Sequence, residues 1–241
     1  MTKNIIRGVV MRGGSKLYGP GIVRSGLILY LDAGNTASYP GTGTTWTDLS
    51  GNNNNGTLIN GPTYSSANGG SIVFDGSNDY VNAPLSTGYP AAMTVITVGK
   101  SNNATWNHFG GLGSGRLANG YIIHNNQSQT SVEFYLYDSS STYLSLIGTT
   151  PSSITNYNMY SITTNGSNEH ITYLNNTSLA TNTTSITRTN TGTSQDNYLG
   201  RDMTFTRYNA VTIGLHMIYN RALTAAEISQ NFNALKLRFG I

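Results

Sequence analysis

The sequence predicts an all-β domain, a sandwich or barrel, that ends in one short helix and is preceded by an extended arm. Three observations carry that reading. The first is composition. Only 10% of the 241 residues are charged, against about 25% in a typical soluble domain, so the polar surface is built from Asn, Thr, Ser, Gly and Tyr. Thr and Tyr favour strands, Gly and Asn favour turns, and the mixture suits long helices badly. The second is rhythm: short apolar or alternating runs are separated by turn clusters at roughly the 8–12-residue spacing of sandwiches and barrels. The third is a single strongly marked helix near the C-terminal end.

Charge divides the chain first. Residues 1–24 carry Lys3, Arg7, Arg12, Lys16 and Arg24 and no acid, whereas the remainder carries eight basic and ten acidic groups. A +5 arm therefore precedes a slightly acidic body. Gly13-Gly14 and Gly19-Pro20-Gly21 block regular structure. Residues 1–25 read as an extended basic arm outside the core, and residues 26–241 as one domain.

Strand signals follow. "GLILYLD" (26–32) is a nearly continuous apolar run, as in a buried strand. "SIVF" (71–74) and "DYVN" (79–82) flank a turn at "DGSN". "MTVITVGK" (93–100) puts Met93, Val95, Thr97 and Gly99 on one face and Thr94, Ile96 and Val98 on the other. "SVEFYLYD" (131–138) alternates Val132, Phe134 and Leu136 with Glu133, Tyr135 and Tyr137. "NMYSITT" (158–164), "NEHITYLN" (168–175) and "NAVTIGLHMIYN" (209–220) complete the set. The helix spans 224–239. Thr224 and Glu227 form a capping box, and Leu223 and Ile228 are placed as its hydrophobic staple. Ile228, Phe232, Leu235 and Phe239 fall on one face. Lys236 and Arg238 suit the last turn, and Gly240 is a natural stop.

Several pieces, taken in order, resemble a known family. They are "GLILYLDAGNTASYPGTGTTWTDLSGNNNNGTLINGPTY", "SIVFDGSNDYV", "ITYLNNTSLA" and "IGLHMIYNRALTAAEI". Together they resemble laminin-G-like modules of the concanavalin A-like lectin/glucanase superfamily, over about residues 26 to 238. "FDGSNDYV" and "YNRALTAAEI" are the most specific pieces. The wording, including "NFNALKLRFGI", is similar to versions encoded by tailed phages of marine or cyanobacterial hosts. The resemblance implies a two-sheet antiparallel jelly-roll sandwich, placed in a virion structural protein or fibre. It implies no activity, because the fold hosts lectins, hydrolases and plain structural modules.

The run "DLSGNNNNGTL" (48–58) has two readings. Asn tolerates left-handed backbone and caps its own turn, so the run suits a structural turn. Asp48, Asn52 and Asn54 also alternate oxygen ligands through a Gly-containing loop, as a structural calcium ion would need. No EF-hand is present, since acids are few and no bidentate Glu follows.

Enzymatic chemistry finds little support. Glucanases of the superfamily carry E-x-D-x-x-E or E-x-D-x-E on one strand. Here the glutamates are Glu133, Glu169 and Glu227 alone, and the same-face neighbours of Glu133 are Tyr135 and Tyr137. His108, His124, His170 and His216 are isolated, without a G-x-S-x-G element. "GGLGSGRLANG" (110–120) lacks the Lys-Ser/Thr ending of a phosphate loop. Gly214 and Leu215 stand where many relatives have acids. Sugar binding remains open: Trp46, Trp106, Tyr135 and Tyr137 could offer flat faces to a pyranose, or could pack the sandwich.

The absence of cysteine excludes a disulfide framework and thiol chemistry. No apolar run approaches the roughly 18 residues of a membrane span, and the expectation is synthesis in a host cytoplasm without membrane insertion. The arm interleaves Ile5, Ile6, Val9 and Val10 with Arg7, Arg12, Lys16 and Arg24. That mixture suits docking onto a protein better than onto nucleic acid, for which it offers only Tyr18 to stack. The expected partners are a major capsid protein or another virion protein, a second copy of the chain, and surface glycans. The expected role is a non-enzymatic capsid decoration protein on the particle surface. The alternative is a carbohydrate-binding adhesin on a fibre.

Overall fold

The computed structural model describes residues 21–102, 107–112, 119–125, 131–140, 142–149, 154–190, 192–201 and 207–241. In chain order its strands are β1 (Leu27–Asp32), β2 (Thr45–Trp46), β3 (Gly56–Ile59), β4 (Thr63–Ser65), β5 (Ser71–Val73), β6 (Tyr80–Asn82), β7 (Met93–Ser101) and β8 (Asn107–Leu112). There follow β9 (Tyr121–Asn125), β10 (Ser131–Tyr137), β11 (Tyr143–Thr149), β12 (Asn158–Thr164), β13 (His170–Leu174), β14 (Thr177–Asn182), β15 (Asn197–Leu199) and β16 (Val211–Tyr219). Helix α1 (Ala225–Phe239) ends the chain. The first sheet runs β14-β13-β12-β7-β16-β5-β4, with β1 also on β16; the second runs β11-β10-β9-β8-β15-β6-β3-β2. Every pairing is antiparallel. This is the two-sheet sandwich with one C-terminal helix that the sequence implies. The Asp75–Asn78 turn carries the chain from β5 in one sheet to β6 in the other, with Gly76 at φ 82°.

Alternation sorts side chains between layers. On β10, Val132, Phe134 and Leu136 are buried between the sheets, while Glu133 and Tyr135 face outward at partial exposure. On β7, Met93 and Val95 enter the inter-sheet core, while Ile96 and Val98 enter a second layer beneath α1. The central strands β7, β12 and β16 of the first sheet are thus buried on both faces. Among the described residues no helix is long and apolar enough to cross a membrane.

The helix is fastened at both ends. Thr224 Oγ1 accepts from Glu227 N, and Glu227 Oε2 accepts from Thr224 N at 2.9 Å, completing the capping box. Arg221 forks the same carboxylate, donating from Nη1 to Oε2 at 2.8 Å and from Nη2 to Oε1. That pairing holds the Glu227 carboxyl down to about 2. At the far end Arg238 pairs with Asp32 at 2.6 Å, and Lys236 lies over the Phe232 ring. Phe239 packs so closely on Gly214 that a Cβ there would come within 2.3 Å of the ring. Absence of a side chain at 214 is therefore a packing requirement, and the "YNR" segment serves the helix start.

The buried stripe of α1 is Ile228, Asn231, Leu235 and Phe239. Phe232, expected in that stripe, is only partly buried, because spacing of three rather than four residues puts Asn231 at the centre. Asn231 is a polar residue with all its needs met: Oδ1 accepts from Val23 N at 2.8 Å, and Nδ2 donates to Tyr219 Oη at 3.2 Å. Tyr219 Oη in turn donates to the Val23 carbonyl at 3.0 Å. Val23 is buried, and Gln230 Nε2 donates to the Gly21 carbonyl. Residues 21–25 therefore lie on the body rather than in a free arm, and Arg24 covers the Tyr30 ring at 5.1 Å. Ile5, Ile6, Arg7, Val9, Val10, Arg12 and Lys16 lie outside the described residues.

Two buried polar groups brace the sandwich. Arg188 donates to the carbonyls of Ala91, Asn119, Gly120 and Tyr137, joining the approach to β7 with the ends of β9 and β10. Desolvation pushes its pKa down to about 9. His216 of β16 meets Thr97 Oγ1 at 2.9 Å through Nδ1 and Tyr121 Oη at 3.2 Å through Nε2. Tyr121 Oη also donates to Asn197 Oδ1 at 2.6 Å, which Tyr89 Oη shares at 3.1 Å. His170 is likewise a packing residue, bonded to Thr164 and to the Thr184 carbonyl.

The packing predicts that Ile228→Ala, at a fully buried site, costs about 2–5 kcal/mol in urea unfolding. Phe232→Ala should cost clearly less than the roughly 3–5 kcal/mol of a fully buried Phe. A loss below about 1 kcal/mol at Ile228 would mark α1 as peripheral. The core network makes a second prediction. Burial pushes the His216 pKa down to about 3, whereas the unfolded chain binds that proton near about 6.5. The neutral imidazole contributes fully above about pH 6.5, and the contribution is lost as pH falls toward 3. The thermal midpoint should drop through that window, and His216→Gln should give a less stable protein with a shallower slope. Equal slopes in the two proteins would refute the assignment.

Candidate functional site

Of the four aromatic residues offered either as sugar platforms or as core, the three described ones do not form one surface. Trp46 is fully buried: pairing of β2 with β3 turns it into the inter-sheet core, where no pyranose can reach it. Tyr137 is 3% exposed. Trp106 lies outside the described residues. Tyr135 is partly exposed, its hydroxyl donating to Glu133 Oε2 at 2.7 Å and its ring standing edge-on to Tyr143.

The Asp48 loop is a turn held by its own donors. Asp48 Oδ1 accepts from Tyr30 N and Ser50 N, each at 2.8 Å; Oδ2 accepts from Ser50 Oγ at 2.7 Å and Asn54 N at 3.0 Å. Asn54 Oδ1 accepts from Ser86 N, and Asn52 Nδ2 reaches Ser50 Oγ. Asn53 takes the left-handed conformation at φ 59°. A carboxylate has about four lone-pair sites, and all are met here, so a cation at Asp48, Asn52 and Asn54 would have to displace the bonds that shape the loop. Among the described residues no group of three His, Cys, Asp or Glu side chains gathers to hold a metal ion.

A different face gathers aromatic, cationic and acidic side chains. β15 pairs with β6 so that Tyr198 stands opposite Asn82, and β6 pairs with β3 so that Tyr80 stands opposite Ile59. Val81, Asn197 and Leu199 point inward and are buried. The alternate residues Tyr80, Asn82 and Tyr198 therefore point outward at partial exposure. Just past β15, Arg201 bridges to Tyr208. Its guanidinium carbon lies 4.8 Å from the Tyr80 ring centre, 5.2 Å from Tyr198 and 5.7 Å from Tyr208. Tyr80 and Tyr198 meet edge to face at 5.7 Å.

Asp196 sits beside this cluster. Its Oδ2 accepts from Tyr198 Oη at 2.9 Å and its Oδ1 from Asn82 Nδ2 at 3.0 Å. Desolvation, with the Asp196 hydrogen bond, pushes Tyr198 up to about 12, so it stays a neutral donor. Asn82 Oδ1 and Arg201 Nε are buried without a hydrogen-bond partner. Asn197, the residue between Asp196 and Tyr198, points the other way into the His216 network. The outward cluster thus rests on a floor locked by core hydrogen bonds. Nothing in the linear order of Tyr80, Tyr198, Arg201 and Tyr208 draws them together. The period-two pattern of "YVN" and "NYL" was a usable but faint signal.

Comparison with known proteins agrees with this architecture. A search of curated proteins finds no relative by sequence. Among solved structures, the chain is similar to the binding domain of botulinum neurotoxin serotype D, with TM-score 0.69 and 15% identity, covering 89% of this chain and 53% of that one. It is similar to the serotype D ligand binding domain in complex with N-acetylneuraminic acid, with TM-score 0.68 and 15% identity, covering 90% and 54%. It is also similar to the binding domain of Paraclostridial Mosquitocidal Protein 1, with TM-score 0.64 and 16% identity, covering 88% and 52%. At these identities the likeness is one of fold, and the chain spans about half the length of each domain. Residues 75–229, which include the whole tyrosine cluster, match a laminin-G-type family directly. With its two antiparallel sheets and more than half its length in that match, the chain belongs to the concanavalin A-like lectin/glucanases superfamily.

Proposed function

We propose that this jelly roll is a non-enzymatic, glycan-binding module of a phage virion, which holds sugar rings against the outer face of its second sheet. One observation carries the binding half: three partly exposed tyrosines gathered around Arg201, with Asp196 and Asn82 at their edge. Aromatic rings with a polar tip suit a ligand that has one apolar face and a rim of hydroxyls. Asn82 Oδ1 lacks a donor, which a sugar hydroxyl can supply after a small side-chain shift. An N-acetylneuraminic acid complex of a domain of the same fold is in keeping with sugar as the ligand class. Glycoside hydrolysis would need two carboxyls flanking the bond. This cluster offers Asp196, already engaged by Asn82 and Tyr198.

The virion half rests on the phage-like wording of the sequence and the +5 arm. The tyrosine cluster favours an adhesin over a plain capsid decoration protein. Docking of the arm on a capsid or other virion protein, or on a second copy, remains compatible with either.

On a glycan array, Tyr198→Ala and Tyr208→Ala should each weaken binding by about threefold to tenfold. Tyr143→Ala, at the far end of the sheet, should leave it unchanged. Loss of binding with Tyr135→Ala or Tyr143→Ala instead would move the site to β10 and β11. For the arm, deleting residues 1–20 should leave the thermal midpoint nearly unchanged and abolish incorporation into particles. Extending the deletion through Ser25 should lower the midpoint, because it removes buried Val23. Normal incorporation of the shorter deletion would overturn the docking role.

A further inference from the structure

Arginines in this protein meet their needs in different ways. Arg221 and Arg238 are paired with carboxylates. Arg188 is satisfied by four backbone carbonyls. Among the described residues Arg201 has neither kind of partner. Among the described residues no oxygen accepts from its guanidinium, although Asp196 lies on the same face. Both Asp196 oxygens are turned to Asn82 and Tyr198 instead.

Three tyrosine rings hold the guanidinium in place without neutralising it. A ring attracts a cation through its quadrupole, but it carries no formal charge, and Tyr198 remains un-ionised at neutral pH. The Arg201 guanidinium therefore keeps its positive charge on a face it shares with the Asp196 carboxylate, with its Nε buried among the rings. A planar guanidinium held on a partly exposed surface is preorganised to pair with a carboxylate or sulfate through two parallel hydrogen bonds.

We propose that the site takes acidic glycans, with Arg201 as the group that recognises a carboxylate or sulfate on the sugar while Tyr80, Tyr198 and Tyr208 receive the ring faces. The inference rests on the glycan-binding reading above and narrows its ligand class. Asp196 would sit on the hydroxyl side of the sugar, away from the anionic substituent.

The test uses the full chain and matched ligand pairs: oligogalacturonides against their methyl esters, sulfated agaro-oligosaccharides against desulfated forms, and sialylated against asialo glycans. The wild type should bind at least one acidic form about tenfold to a hundredfold more tightly than its neutral partner. The responding pair identifies the anion as uronate, sulfate ester or sialate. Raising salt should erode this preference but not the neutral binding. Arg201→Gln should abolish the preference while neutral binding survives, whereas Tyr198→Ala should weaken both members of a pair. Because Arg201 packs among rings, Arg201→Lys serves as the variant that keeps the charge. It should fold and retain a reduced preference. The basic arm is controlled by replacing Lys3, Arg7, Arg12 and Lys16 with Gln, which should leave the preference intact. Equal binding of acidic and neutral partners by the wild type would overturn the acidic assignment and leave the glycan site standing. A preference that survives Arg201→Gln, or vanishes with the arm substitutions, would also overturn it. Binding of no sugar in any pair would overturn both readings.

Discussion

The central strands of the first sheet have no face to turn toward water, and most of the remaining structure answers that constraint. All nine residues of β16 and all seven of β12 are buried. A strand buried on both sides must be covered twice. The second sheet covers one face; α1, together with Val23, covers the other. The fastenings of α1 follow from this. The Thr224–Glu227 box and the Arg221 fork fix where the helix starts, and Arg238–Asp32 and the Phe239–Gly214 contact fix where it ends. Among the described residues the second sheet carries no such cover over Tyr80, Asn82 and Tyr198, which hold aromatic and polar groups in partial contact with solvent.

How far the sequence could be read depended on pattern strength. β1, β7, β10, β12, β13 and β16 combine length with apolar periodicity, and each lies where those patterns place it. The capping box gave α1 nearly to the residue, since cap chemistry is local. Phe232 was misjudged because the helix stripe advances by three residues at Asn231, and only the tertiary bonds to Val23 and Tyr219 make a buried Asn tolerable. β2, β3 and β15 are two to four residues long, too short for periodicity to separate from turns, whereas the equally short β6 was legible in "DYVN" beside its turn. β15, together with β6, carries the candidate site. Trp46 looked available because a lone Trp in a polar stretch gives no sign of which way a two-residue strand faces. The asparagine run resisted local analysis for a similar reason: whether Asp48 holds a cation or a turn depends on donors from Tyr30 and Asn54, one of them distant in sequence.

With so few charged residues, the arginines of the described body have traceable settings. The paired Arg221 and Arg238 close the helix layer, and Arg188 acts as a buried spacer whose five donors replace a short piece of sheet. Such groups are costly to bury unless satisfied, which accounts for their dense hydrogen bonding. Arg201 departs from that rule. Its compensation comes from ring faces, which stabilise a cation while leaving its charge on display.

The Asn231–Val23–Tyr219 triangle has a consequence for orientation. It pins residues 21–23 beside α1, on the outer side of the first sheet, while the tyrosine cluster lies on the outer side of the second. The layers between them fix the two on opposite sides of the sandwich. Gly21 therefore lies on the helix side, and a support reached through it from that side would have the cluster facing away. Copies anchored side by side would present parallel, outward-facing sites, and contacts too weak to matter singly would combine through effective concentration on a multivalent surface.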